Sequence, residues 1–258
     1  MVNATEKPLL GYVDGKFNGN YWQWLKMEFK NVFASKFTLT VWFFSLGFQL
    51  ANLLANPINW QSIVTFIASA VGVLCCCAMA LGAPLNGLLG LVSAFGFIAV
   101  NFATAHWWSV IDQLIFMAVI DIPLIFKWKT WGANIKEKTR SLGKKGWIVT
   151  IIGLLIAWGA LYFVGTLIHD SAVITDSLVL AIGATASLLV TLKINNCYLL
   201  WLLEDVANVL LWISTAIHLG ISGSTVGMLV TTLIYFATAL YGQFISPVWT
   251  SGKDRKTA

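Results

Sequence analysis

The chain reads as an all-α integral membrane protein with eight transmembrane helices. Three observations predict this. Of its 258 residues, 58% are hydrophobic and 10% are charged, against about 25% charged in a soluble domain. The apolar residues gather into eight stretches of about 20, the length that crosses a hydrocarbon core. All 16 Lys and Arg residues fall in alternate gaps between those stretches, the bias produced when short basic loops stay on the cytoplasmic side during insertion.

Residues 1–36 form an arm. Within it Tyr21, Leu25, Phe29 and Val32 share one side and Lys26 and Lys30 another. Tyr21 to Phe37 therefore reads as a short helix in the membrane interface, with a solvated arm as the alternative. An additional transmembrane helix over 37–55 ends at Asn56-Pro57. The stretches 60–81, 85–105 and 107–127 make a first three-helix unit, turned at Gly82-Ala83-Pro84. A basic loop, 128–145, leads to a linker helix at 146–168. The stretches 173–193, 196–219 and 224–246 make a second unit, turned at Gly220 and Gly223, before a tail at 247–258. Trp107, Trp108, Trp128, Trp131, Trp147 and Trp249 stand at stretch ends, as in interfacial belts.

The basic residues are Lys7, Lys16, Lys26, Lys30 and Lys36 in the arm, Lys127 to Lys145 in the middle, Lys193, and Lys253, Arg255 and Lys256 in the tail. Both termini and the middle loop are thus expected in the cytoplasm, in a multi-pass protein of the plasma (inner) membrane. A three-helix unit leaves on the side opposite its entry. One linker helix brings the chain back, so the second unit inserts like the first. That 3-1-3 spacing predicts two parallel repeats with a site between them near the midplane, an architecture of transporters.

Several classes are excluded. The net charge of +5 is placed beside the membrane and suits anionic lipid rather than nucleic acid. Cys75, Cys76 and Cys77 are consecutive in an apolar run and read as small packing residues. His106, His169 and His218 lie near outer ends without ligand spacing, so no metal or other cofactor is expected. No catalytic constellation appears, and the chain does not read as an enzyme.

Polar groups inside the apolar stretches mark a cavity or a helix contact. Tyr198, Trp201, Asp205, Asn208 and Trp212 recur at helical spacing on one face. Such a stripe suits a small ligand with a flat ring and hydroxyls. Glu204 points about 100° away and reads as lining a helix contact. A second face carries Asn86, Gly90, Ser93, Phe97 and Asn101; Asp112 and Gln113 lie in the next helix. Thr231, Tyr235 and Thr238 read as helix packing. The candidate substrate residues are Asn86, Ser93, Asn101, Gln113, Tyr198, Trp201, Asp205, Asn208 and Trp212.

The stretch Thr175 to Trp201 resembles the PnuC family of nicotinamide riboside transporters. Asp176-Ser177, Thr191-x-Lys193 and Tyr198-x-x-Trp201 carry the likeness, with Gly72-x-Leu74-Cys75, Asn86-x-x-x-Gly90 and Gln113 in the first unit. Tyr198 stands where the family often has Trp, and Asp205 where Asn is common. The resemblance covers residues 60 to 250 and leaves the first helix outside a seven-helix core. It implies a 3-1-3 architecture similar to the SWEET sugar transporters and facilitated diffusion of nicotinamide riboside for NAD biosynthesis. It also implies a functional link to a cytoplasmic riboside kinase that traps the product.

The residues agree with that substrate. A pyridinium ring suits Trp and Tyr faces, Asp205 offers a negative charge, and Asn86, Asn208 and Gln113 suit ribose hydroxyls. The absence of Lys and Arg from helix interiors disfavours a phosphorylated ligand. Alternatives are a related flat vitamin such as thiamine or riboflavin, and a proton-coupled symporter using Asp112, Glu204 or Asp205. A homo-oligomer is left open.

Overall fold

The computed structural model describes residues 12–13, 16–132, 135–170 and 172–251. Lys7, Lys253, Arg255, Lys256 and the rest of the expected tail from 252 onward lie outside the described residues, as does the Lys136 side chain.

Among the described residues a two-stranded hairpin, β1 (Tyr12–Val13) with β2 (Lys16–Phe17), precedes twelve helices: α1 (Tyr21–Ala34), α2 (Lys36–Ala55), α3 (Trp60–Ala80), α4 (Leu85–Ala103), α5 (Trp107–Phe116), α6 (Ile122–Phe126), α7 (Ile135–Lys138), α8 (Lys144–Leu167), α9 (Val173–Thr191), α10 (Cys197–Leu219), α11 (Gly223–Phe244) and α12 (Pro247–Thr250). A π-helical turn, Met117–Asp121, joins α5 to α6. Among the described residues eight helical spans are long and apolar enough to cross a membrane, counting Trp107–Phe126 as one, and each occupies one of the eight expected stretches.

Six of those spans close a ring. α3 packs on α4, α4 on α5 and α6, α5 on α9, α9 on α10, α10 on α11, and α11 returns to α3. Two spans stand outside it. α2 lies in the seam between α3 and α11, and α8 packs on α9. Gly165 is the one buried residue of α8. A helix that is apolar all round and unburied has lipid as its solvent.

The π turn has a local cause. Pro123 has no N–H to give the carbonyl four residues before it, and the hydroxyl of Thr191 on α9 donates to that carbonyl, Val119 O, at 3.2 Å.

The arm is docked on protein. Asn20 caps α1, its side chain accepting from Gln23 N at 2.9 Å. Trp24, Glu28 and Val32 form the buried face, while Tyr21, Leu25 and Phe29, expected on the apolar side, are half-buried beside it. Trp24 packs on Trp128 of the middle loop with ring centroids 5.4 Å apart, and Phe17 N donates to Lys129 O at 2.8 Å.

The same end of the ring is strapped shut. Arg140 N donates to Lys193 O at 3.0 Å and Asn195 N to Arg140 O at 2.9 Å. Asn195 Nδ2 donates to Trp249 O at 3.2 Å, and Trp249 Nε1 to Met79 O at 3.0 Å. The middle loop, the α9–α10 turn, α12 and the end of α3 are thereby tied together, so this basic end acts as one floor under the ring.

Candidate substrate site

The ring encloses two chambers stacked along α10. The chamber nearer the basic end has about 740 Å³ of empty volume. It is lined by Gly72, Cys75, Cys76 and Met79 of α3, Gly90, Ser93 and Phe97 of α4, Asp112, Gln113 and Phe116 of α5, Tyr198, Trp201, Glu204 and Asp205 of α10, and Tyr235, Thr238 and Ala239 of α11. The second, toward the opposite end, has about 520 Å³, adding Asn101, Ser109, Val179, Asn208, Trp212, Met228, Thr231 and Thr232. From Trp201 to Trp212 is about 16 Å along a helix rising 1.5 Å per residue.

Six residues border both chambers: Phe97, Asp112, Gln113, Glu204, Asp205 and Tyr235. Phe97 and Tyr235 meet edge to face, centroids 6.4 Å apart, at the waist between them. Here three carboxylates gather. Asp112 is 5% exposed and Asp205 7%, and Glu204 Oε2 is buried without a hydrogen-bond partner among the described residues. Asp112 and Glu204 approach across Gly183 of α9, which has no side chain to hold them apart. No Lys, Arg or His is among the described residues lining either chamber. Buried carboxylates are costly as anions unless they are paired with a positive charge or take up a proton.

The sequence-predicted residues divide between the chambers. Ser93, Tyr198 and Trp201 line the first, Asn101, Asn208 and Trp212 the second, and Gln113 and Asp205 both. Asn86 lines neither: it is buried at the start of α4, where its carbonyl accepts from Cys75 Sγ at 3.3 Å. Glu204 is not confined to a helix contact; it faces both chambers beside Asp205, because the ring wraps α10 on more than one side. Cys75 and Cys76 are wall residues of the first chamber, while Cys75 and Cys77 also pack into hydrophobic clusters. Tyr235 and Thr231 belong to the walls too, although their spacing read as packing.

Two cationic and acidic groups lie behind the walls. Lys193 does not enter a chamber: its Nζ sits 5.0 Å above the Trp131 ring. Burial, helped by Lys138 and Lys127, pushes its pKa down. Asp121, in the π turn, presses its carboxylate on Gly90 and has no hydrogen-bond partner among the described residues.

At the opposite end a polar knot closes the second chamber. Asp170 Oδ2 accepts from Trp107 N at 3.0 Å and Asp176 Oδ2 from Trp108 N at 2.9 Å; Ser109 donates to Asp176 as well. Carboxylates thus cap the N-terminus of α5, where the helix dipole favours negative charge. His106 is buried rather than interfacial, and its Nε2 lies 2.8 Å from Thr215 Oγ1, above Trp212. Burial lowers the His106 pKa from 6.5 to about 4, against an opposing pull from Asp170. The ligand atoms of His106, Asp170 and Asp176 all lie within 4.8 Å of one another, a grouping their sequence spacing did not signal. Both carboxylates already serve the α5 amides.

A closed ring of membrane-spanning helices with polar chambers stacked along its axis is the architecture of a solute carrier. The family model described as nicotinamide mononucleotide transporter matches residues 62–251, and the chain belongs to that family of transporters. Two relatives are named nicotinamide riboside transporter PnuC. One, from Haemophilus influenzae, is 24% identical over 209 residues, covering 76% of this chain and 83% of the relative. The other, from Neisseria mucosa, is 22% identical over 206 residues, covering 76% and 75%. The crystal structure of the vitamin B3 transporter PnuC matches with a TM-score of 0.72 at 19% identity, over 90% of this chain and 97% of that one.

Proposed function

We propose that this multi-pass membrane protein carries nicotinamide riboside across the inner membrane by facilitated diffusion, with the riboside held at the waist between the chambers. The observation that carries this reading is the acidic lining of the waist: Asp112, Glu204 and Asp205 face the path, and no basic side chain is among its described lining residues. The riboside is a flat cation joined to a ribose. Trp201 and Tyr198, with ring centroids 5.0 Å apart, offer aromatic faces for the ring, and Gln113 and Asn208 offer partners for hydroxyls. The names of the two relatives support the same substrate. The family description names the mononucleotide instead. A phosphate brings about two negative charges, which would face three carboxylates with no Arg or Lys to pair with. The riboside is therefore the better fit.

The ring order, three spans from each half, supports the parallel-repeat reading, and both termini belong on the cytoplasmic side with the basic end. A cytoplasmic riboside kinase would keep uptake running downhill.

The test is a competition titration on purified protein with riboside, mononucleotide, thiamine and riboflavin. Tight riboside binding with the mononucleotide at least about tenfold weaker (about 1.4 kcal/mol) is expected. Equal affinity for riboside and mononucleotide, or preference for another vitamin, would overturn the assignment. Uptake that collapses with the proton gradient would replace facilitated diffusion by symport.

A further inference from the structure

The span that lies outside the family-matched residues packs against the wall of the second chamber. α2 ends at Ala55, and the match begins at residue 62. Its inward stripe recurs at helical spacing: Trp42, Ser45, Gln49, Asn52 and Asn56. Trp42 Nε1 donates to Ala70 O of α3 at 2.9 Å. Gln49 is 1% exposed, and its Nε2 donates to Gly227 O at 2.9 Å and to Thr231 Oγ1 at 2.8 Å, both on α11. Asn52 Nδ2 donates to Gly223 O at 2.7 Å. The partners on α11 are Gly223, Gly227 and Thr231, at steps of four. At Gly227 a Cβ would come within 2.8 Å of Thr65 Cγ2 and 3.1 Å of Gln49 Oε1, so the amide reaches the backbone only because that position is glycine.

Thr231 is where this contact meets the substrate path, as it lines the second chamber. Its oxygen accepts from Gln49, and its hydrogen goes to Ser69 Oγ at 2.6 Å or to Gly227 O at 2.7 Å. A hydroxyl has one hydrogen and two lone pairs, so Gln49 determines which way Thr231 is held. α2, α11 and α3 are linked by one short chain of hydrogen bonds directly behind the chamber wall.

We propose that Gln49 is a positioning residue for the substrate: it fixes Thr231 and the adjoining turn of α11, so that the span outside the matched core sets the affinity of the second chamber. This rests on the carrier reading above, with riboside as the probe.

The experiment is riboside uptake into liposomes by Gln49→Met, which keeps the unbranched shape and removes both donors. KM is expected to rise about fivefold with kcat little changed, as when binding in ground and transition state is lost together. Asn52→Met, whose partner Gly223 is not among the described lining residues of either chamber, is expected to lower thermal stability and leave KM unchanged. Combining Gln49→Met with Thr231→Val should raise KM no more than Thr231→Val alone, the non-additivity expected of residues acting through one contact. Should Gln49→Met fail to assemble, Ser69→Ala cuts the same chain from α3 and is expected to raise KM likewise. An unchanged KM in Gln49→Met, an equal rise in Asn52→Met, or strict additivity would each overturn the role. Wild-type protein that neither binds nor carries riboside would overturn the carrier reading itself, and the positioning role with it.

Discussion

Asp112 and Glu204 converge on one point, the face of Gly183 where a side chain would begin. α5 delivers the first carboxylate, α10 the second, and α9 supplies the bare backbone beneath them. A methyl group there would lie 3.2 Å from the Glu204 carboxyl carbon and closer still to Asp112. Three helices therefore have to meet correctly before the acidic waist exists.

Gly183→Ala is expected to push both carboxylates from their places, since overpacking a filled site costs about 1–3 kcal/mol. Riboside affinity should fall about tenfold in a protein that still folds. Gly153→Ala on α8, which faces open space, is the control. Isothermal titration of both variants decides it, and full affinity in Gly183→Ala would remove the waist from the site.

Trp201→Ala and Asn208→Ala should each weaken riboside binding by about 1 kcal/mol or more, the worth of a lost cation–π contact or buried hydrogen bond. The two lie on opposite sides of the waist, one lining each chamber. Fluorescence titration of the folded variants is the check. Unchanged affinity in both would assign the stripe to packing.

His106 makes stability depend on pH. Its pKa is depressed from 6.5 to about 4 in the folded protein, so between those values the unfolded chain binds the extra proton. Stability is then complete above about 6.5 and declines as the pH falls toward 4. Melting curves of wild type and His106→Gln across that window should differ in slope, the variant being flatter. Parallel curves would show that the buried imidazole is not the group responsible.

The basic end of the ring is expected in the cytoplasm. Cysteine placed at Lys138, which is exposed, should label only after the membrane is opened. Cysteine placed at His218, exposed at the other end, should label from outside intact cells. Reversed labelling would invert the topology and the direction assigned to the chambers.

Much of this was legible in the chain itself. Eight apolar runs and a one-sided set of basic residues specify eight spans, because length and hydropathy are local properties that lipid reads one segment at a time. The stripe from Tyr198 to Trp212 was visible for the same reason: a helix puts residues three and four apart on one face whatever it packs against. Which faces look at the path was decided only by the ring. Glu204 lies about 100° from the stripe and still borders both chambers, since α10 is flanked by α9 and α11 and bends its surroundings around the cavity. Asn86 had the right chemistry and the right spacing but sits beside the wall, its carbonyl held by Cys75. Gln49, Asn52 and Asn56 carry a polar stripe as regular as that of α10. Its meaning came from Gly227 and Thr231, about 180 residues away in sequence and in direct contact in space. Helix existence follows from the chain's own periodicity; the assignment of each polar group to a path, a latch or a seam requires its partner, and the partner is supplied by tertiary packing.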